Sequence, residues 1–320
     1  MNVEKQLRET IKKLLKEKKV GLVIGYSKGT LPLCSTPVFI TNEKDAIHLI
    51  FDITCGNNLA KYLVKKRTPI TDNRTPIGII AKGCDGRSIV QHIVESQIKR
   101  EEVVIIAVPC EGVIDIRKLE EKIKGKEILK YKIEGEKIIL EGKDFKTTLN
   151  KQDVLSDSCL MCKYPNPPMY DIFIGETISV AENREPKTDN LESLSSDERW
   201  AYFEKEISKC IRCYACRNAC PLCYCEECFV DQSNPQWFGK SADLSDTMIF
   251  HIIRTMHVAG RCVRCGACSR ACPTGVNLAP LGMRIEKEIK DRFGYTAGLD
   301  IETTPPMTAY DENDKQEFIM

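Results

Sequence analysis

Two short segments of this chain carry the same spacing of thiols. Cys210, Cys213, Cys216 and Cys220, followed by Pro221, read C-x2-C-x2-C-x3-C-P, and Cys262, Cys265, Cys268 and Cys272, followed by Pro273, repeat it without a gap. Three cysteines at two-residue gaps wrap a tight loop round one inorganic cluster, with amide N–H groups free to turn toward the sulfurs. The fourth opens a turn leading away and, in two-cluster ferredoxins, ligates the other cluster. The pattern predicts two [4Fe–4S] clusters with crossed ligands: Cys210, Cys213 and Cys216 with Cys272, and Cys262, Cys265 and Cys268 with Cys220. Each following proline redirects the chain and removes a donor, and Gly266 permits close backbone approach. Zinc also uses C-x2-C pairs, but as two pairs separated by a longer loop, which fits these runs poorly.

The chain has 17 cysteines in 320 residues. Its N-terminus, MNVEKQLRETIKKLLKEKK, is too charged for a secretory signal. The expected compartment is therefore a reducing cytoplasm, where cysteines serve as metal ligands, redox groups or small apolar residues. An odd count also argues against a complete disulfide framework. A formal charge of +1 excludes a whole-protein argument for nucleic acid or an anionic membrane. No apolar run reaches bilayer-spanning length. Val3, Leu7, Ile11 and Leu14 recur at helical spacing and predict an amphipathic surface helix.

The cysteines also divide the chain. Residues 1–180 read as an α/β domain with a mostly parallel sheet. VGLVIGY, PIGIIA and EVVIIAVP are β-branched apolar runs suited to strands buried on both faces, and NNLAKYLVKK and GRSIVQHIVESQIKRE are helical patterns between them. ILKYKIEGEKIILEG predicts a hairpin turning at Gly135, and MYDIFIGE one more strand. Residues 181–199 are polar and charged, and are expected to be a linker. Residues 200–294 read as a mostly helical dicluster ferredoxin-like domain without strands. Its predicted helices are SSDERWAYFEKEIS, capped by Ser195 or Ser196; DLSDTMIFHIIRTMHVAG, apolar nearly all round and so expected to be buried; and LGMRIEKEIKDRFG, with Leu281, Ile285 and Ile289 on one face and Gly294 at its end. Residues 295–320 are expected to form an irregular tail that can lie along a partner.

A second group of thiols is less regular. Cys84 and Cys110 each stand just beyond the carboxyl end of a predicted strand, where open α/β sheets put their sites. Cys159 and Cys162 follow as a C-x2-C pair. By spacing alone these four are either a metal site or ordinary buried cysteines. Cys223, Cys225 and Cys228 have a C-x-C-x2-C spacing that suits a further metal, zinc for instance, with His251 or His257 as a fourth ligand. Otherwise they pack beside a cluster. Cys34 and Cys55 are expected to be buried apolar residues, with Cys55 bordering a cofactor if a flavin is bound. Arg212, Arg217, Arg261, Arg264 and Arg270 stand among the ligands, either to offset cluster charge or as a solvated face that docks an acidic partner.

In order, the motifs KGCDGRS, AVPCEG, CLMCKYPNPPMYDIFIGE and KCIRCYACRNACPLCYCEECF resemble the beta subunits of deazaflavin-coenzyme-reducing hydrogenases and of the related methanogen-type formate dehydrogenases. The resemblance covers most of residues 20–290. It implies that Cys84, Cys110, Cys159 and Cys162 hold a third [4Fe–4S] cluster. It also implies a multisubunit redox complex with a catalytic formate dehydrogenase or hydrogenase subunit and a flavin or heterodisulfide-reductase-like subunit. One departure concerns FAD. Members that reduce the deazaflavin carry an S-G-G-x-x-T loop near a bound FAD, and the nearest glycine-rich stretch here is GYSKGT, Gly25 to Thr30. That stretch can approach a phosphate or be a plain turn.

No Ser/His/Asp set, convincing carboxylate pair or molybdenum-type site is apparent. The expected function is thus a non-catalytic iron–sulfur electron-transfer subunit of an anaerobic oxidoreductase. Two alternatives remain: an FAD-containing subunit that itself exchanges hydride with a deazaflavin or nicotinamide coenzyme, and a zinc-binding scaffold module.

Overall fold

The computed structural model describes residues 2–64, 75–180, 191, 193–237, 239–309 and 312. Its contacts divide the chain into two compact units. The first comprises residues 1–86 and 98–186, the second residues 87–97 and 187–320.

The first unit opens with α1 (Val3–Lys16), which buries Leu7, Ile11 and Leu14, the stripe its sequence predicts. Asn2 caps it by accepting from the Glu4 N–H at 2.9 Å. A five-stranded sheet follows, in the order β2-β1-β3-β4-β8. Strands β1 (Leu22–Lys28), β3 (Ile77–Ala81), β4 (Val103–Ala107) and β8 (Ile172–Phe173) run parallel, and β2 (Ser35–Ile40) is antiparallel at one edge. Leu22, Val23, Ile24, Ile79, Ile80, Ile105 and Ile106 are all buried, as continuous apolar runs in a doubly covered parallel sheet require. Strand β2 was not expected. It contains Pro37, which a sheet tolerates at an edge.

Two expected helices are corrected. NNLAKYLVKK forms only a single 3₁₀ turn over Leu59–Tyr62, its last two residues lying outside the described ones. The Ala60 N–H bonds the Asn58 side chain at 3.1 Å and the Leu59 N–H bonds Asp85 at 2.8 Å. These side-chain acceptors compete with helix formation. The next helix, α2 (Gly83–Val94), stops short of its expected end because Ser96 turns left-handed, at φ +55°.

Helix α3 (Ile116–Ile123) and an antiparallel sheet of β5 (Lys130–Glu134), β6 (Lys137–Glu141) and β7 (Lys146–Asn150) form a second layer. Their core joins Leu119 and Ile123 to Ile138, Leu140 and Val154. The hairpin turns at Gly135, φ +53°. Short helices α4 (Lys151–Val154) and α5 (Asp157–Leu160) lead back toward β8.

The second unit has no strand among its described residues. Beside residues 87–94 of α2 it contains α6 (Ser196–Ile207), α7 (Ala215–Ala219), α8 (Leu244–Met256), α9 (Ala267–Arg270) and α10 (Ala279–Phe293). Ser195 caps α6 in a reciprocal box with Glu198, and α10 ends at Gly294, φ +64°.

Helix α8 overturns the expectation of all-round burial. Ile249, Ile252 and Met256 are 41%, 39% and 56% exposed, whereas Thr247, His251, Arg254 and Thr255 are buried with Phe250. Two of its inward polar residues reach the thiol loops, His251 the Cys210 Sγ and Arg254 the Cys216 carbonyl, while Thr255 bonds the His251 carbonyl of its own helix. Of the expected linker, residues 181–190 and 192 lie outside the described ones, as do 310, 311 and 313–320 of the expected tail. Tyr295 and Ala297 are buried within the second unit. Among the described residues no helix is long and apolar enough to cross a membrane.

Candidate metal centres

The two thiol loops are backbone copies of each other. Arg212 and Arg264 take up φ +52° and +56°, and Tyr214 and Gly266 follow at +58° and +70°. Each left-handed turn points an amide at a sulfur. The Arg212 N–H donates to Cys210 Sγ at 3.3 Å, and the Arg264 N–H to Cys262 Sγ at 3.4 Å. A short helix then carries the third cysteine of each loop, α7 in the first and α9 in the second. Beyond α9, Cys272 Sγ accepts from the Val276 N–H at 3.3 Å.

The thiols gather across the repeat. Cys272 and Cys213 are the thiols that act electrostatically on Cys210. Cys220, Cys268 and Cys265 act on Cys262, and Cys220 and Cys268 act on Cys265. Cys268 also acts on Cys216 and so stands between the groups. Two apolar clusters cover seven of the eight: Ile207, Phe250, Val276 and Leu278 pack about Cys210, Cys216, Cys268 and Cys272, while Leu222, Val258, Val263 and Ile289 pack about Cys220, Cys262 and Cys265; Cys213 is exposed. Burial pushes Cys262 and Cys265 up to about 12 and Cys216 to about 11. At neutral pH these are thiols, so metal loading here releases protons.

The donor set fits a cubane better than a single ion. Four sulfurs on one tetrahedral zinc, with bonds of about 2.3 Å, would stand about 3.8 Å apart. Zinc sites use two C-x2-C pairs separated by a longer loop, whereas here each loop offers a run of four thiols ending in proline. A cubane binds its four thiolates at separate iron corners and leaves them wider apart. The second sign is unanswered positive charge. Arg254 is 6% exposed, its Nη2 donates to the Cys216 carbonyl at 3.2 Å, and its Nε meets no acceptor among the described residues. His251 Nε2 lies 3.3 Å from Cys210 Sγ, and its Nδ1 is buried with no partner among the described residues. Burial, with Arg254 and Arg212 beside it, lowers His251 to about 4. It is neutral at pH 7 and able to donate to a thiolate.

The arginines inside the cysteine motifs behave differently. Arg217 pairs with Asp231 at 2.7 Å, Arg261 with Glu95 at 2.6 Å and Arg264 with Glu286 at 3.1 Å. Arg212 donates to the carbonyls of Gly239 and Ser241, both at 2.9 Å. Carboxylates answer the charge of Arg217, Arg261 and Arg264, while buried Arg212 meets only neutral oxygens and its Nε has no partner among the described residues.

Cys84, Cys110, Cys159 and Cys162 belong to the first unit. Cys84 opens α2 just past β3, and Cys110 follows β4. Burial raises the Cys110 thiol to about 12, with Cys159 and Cys162 acting on it electrostatically. Cys159 Sγ accepts from the Val113 N–H at 3.3 Å. Behind Cys84 is a buried charge that sequence reading missed. Lys82 Nζ lies 2.8 Å from the Asp85 carboxylate and 2.9 Å from the Asn57 carbonyl, and donates to the Tyr26 hydroxyl. Burial alone would lower the Lys82 pKa, but Asp85, Tyr26, Cys84 and Cys110 outweigh it and hold it well above the ordinary value.

Glycines let the neighbouring loop close on this corner. A Cβ on Gly83 would overlap the Tyr164 carbonyl oxygen, and one on Gly86 would come within 2.7 Å of the Pro167 Cβ. Gly83→Ala is expected to lower unfolding stability by about 1–3 kcal/mol, measured by denaturant titration, with Gly282→Ala as the opposite-sign control: it lies inside α10, a Cβ there meets nothing within 4 Å, and the change should add up to about 1 kcal/mol.

Of the remaining thiols, Cys225 acts electrostatically on Cys223. Cys223 packs with Cys220 and Cys262, Cys228 with Cys210 and Cys272, and Cys225 is exposed. Neither His251 nor His257 draws them together: His257 lies edge-on to Phe229, ring centroids 5.1 Å apart. Cys55 is buried as expected, but Cys34 is only partly buried, sitting in the turn where the Gly29 N–H bonds its carbonyl at 2.8 Å. GYSKGT divides accordingly. Gly25 lies inside β1 against Leu49 and Ile80, and Gly29 makes the turn.

Comparison with known proteins bears on the thiol loops directly. Residues 206–276 match the 4Fe-4S dicluster domain family. This stretch of the chain is a 4Fe-4S dicluster domain. Along 92% of its length the chain is also similar to the F420-dependent formate dehydrogenase subunit beta of Methanocaldococcus jannaschii, with 26% identity over 362 residues and 92% of that protein covered. The F420-dependent formate dehydrogenase 1 subunit beta of Methanococcus maripaludis is 24% identical over 358 residues, covering 92% of this chain and 91% of that one. A solved structure of the F420-reducing [NiFe] hydrogenase complex from Methanosarcina barkeri matches 49% of this chain and 58% of its own at 14% identity and a TM-score of 0.37. The dicluster domain begins within α6 and ends just before α10.

Proposed function

We propose that the chain is an iron–sulfur electron-transfer subunit of an F420-dependent oxidoreductase complex. It relays single electrons between a catalytic subunit of formate dehydrogenase or hydrogenase type and a flavin- or disulfide-reducing subunit. The observation that carries this reading is the duplicated thiol loop, in a stretch that matches the 4Fe-4S dicluster domain family over residues 206–276. A bound iron–sulfur cluster takes up and releases one electron at a time, at a potential set by charge, hydrogen bonding and exposure.

In this reading Cys210, Cys213, Cys216 and Cys272 hold one cluster, and Cys262, Cys265, Cys268 and Cys220 the other. The Arg212 and Arg264 amides and His251 donate hydrogen bonds to thiolates, and the two apolar clusters keep water from all but the exposed Cys213 corner. Cys84, Cys110, Cys159 and Cys162 hold a third cluster in the first unit. Supporting that set are the mutual electrostatic reach of Cys110, Cys159 and Cys162 and the action of Cys84 and Cys110 together on buried Lys82.

Iron, acid-labile sulfide, zinc and flavin measured on one air-free preparation test the reading. About twelve irons and as many sulfides per chain are expected, four for each cubane, without stoichiometric zinc. Stoichiometric flavin would move the chain to the hydride-exchanging alternative. Zinc in place of iron would leave only a scaffold role.

A further inference from the structure

Helix α8 carries a charge that nothing among the described residues neutralises. Arg254 is buried, and among those residues no carboxylate lies within ion-pair distance of its guanidinium. That distinguishes it from Arg217, Arg261 and Arg264, each paired with an acid; Arg212 also lacks an acid among those residues but donates two hydrogen bonds to the Gly239 and Ser241 carbonyls. The groups that act on it are thiols from both halves of the repeat: Cys268, Cys216, Cys220 and Cys223. In turn, Arg254 acts on Cys216 of the first loop and on Cys220, the thiol that reaches the second. A buried cation without a counter-charge is strongly destabilising, so this position makes sense only if anions occupy both loops.

We propose that Arg254 is a fixed cation shared by the two clusters of the second unit, holding both reduction potentials up together and easing the repulsion between the two reduced clusters. The proposal rests on the two-cluster reading above. Each cluster gains one electron from an external reductant such as dithionite, while Arg254 keeps its proton throughout. A cation beside a single cluster would favour the reduction of that one only. A cation between the loops lowers the energy of both reduced forms and screens each from the other.

The test is a dithionite titration of the full chain followed by paramagnetic resonance, with iron and sulfide counted on the same samples. Arg254→Gln is expected to make both clusters about tenfold harder to reduce, equivalent to about 59 mV for a one-electron couple, at unchanged iron content. Arg254→Lys, which keeps the charge and gives up the fork, should hold both within about threefold of the starting protein. Two unmoved midpoints in fully loaded Arg254→Gln overturn the proposal, and so does a shift confined to one cluster. If Arg254→Gln fails to load, Arg254→Lys decides: midpoints kept within threefold support the charge, and midpoints displaced tenfold make hydrogen-bond geometry the active feature and overturn it. A low iron count in the unaltered chain would instead strike at the two-cluster reading itself.

Discussion

Cys220→Ala is expected to extinguish the same cluster signal as Cys265→Ala, and Cys272→Ala the same one as Cys213→Ala. Each loss should remove up to about four irons from the chain, because a cubane lacking one of four thiolates is open to solvent at that corner. The expectation follows from which thiols act on one another electrostatically. Cys220 acts on Cys262 and Cys265 of the other loop, while Cys272 acts on Cys210. Low-temperature paramagnetic resonance of the four variants, reduced under identical conditions, reads the pairing directly. If Cys220→Ala instead matches Cys213→Ala, each loop uses its own fourth cysteine and the crossed arrangement is wrong.

Cys110→Ala is expected to reduce the iron count from about twelve to about eight and to leave both signals of the dicluster domain in place. Cys162→Ala should do the same. The reasoning is local to the first unit. Burial keeps the Cys110 thiol protonated far above neutral pH, up to about 12, an unfavourable environment for a thiolate unless a metal replaces the proton. Lys82, in a buried pair with Asp85, acts on the Cys110 thiol and favours its ionised form. An unaltered chain that already holds only about eight irons would make these four residues ordinary buried cysteines. Loss of the dicluster signals in Cys110→Ala would also count against an independent third site.

Much of the fold follows from the order of residues. The parallel strands were legible because runs such as VVIIA in β4 are apolar on both faces. Strand β7, KTTLN, was not, because only alternate residues are even partly covered and its lysine and polar residues resemble a loop. Strand β2 was hidden by Pro37, whose place at an edge is a property of the assembled sheet. The cysteine spacing made the thiol loops legible, because a local loop fixes three of each four ligands. Arg254 and Lys82 could not be found in that way. Each is a single charge within an apolar stretch, and its meaning depends on partners brought from elsewhere: Cys268 and Cys220 for Arg254, Tyr26 and Asn57 for Lys82. The same blindness explains α8, whose mixed composition resembled an all-apolar helix until its buried side proved to be the polar one.

Tyr214 and Gly266 occupy the same left-handed position in the two loops. Glycine takes that conformation freely, whereas for an ordinary side chain it costs roughly 1–2 kcal/mol. The tyrosine ring is edge-on to Phe250 with centroids 5.3 Å apart, and Arg217 lies 4.8 Å from its centre. Twin segments of this kind can drift apart in lettering while torsion angles stay matched, provided a bulky newcomer finds neighbours to lean on. Kinship between such halves is therefore more durable in backbone shape than in amino-acid identity.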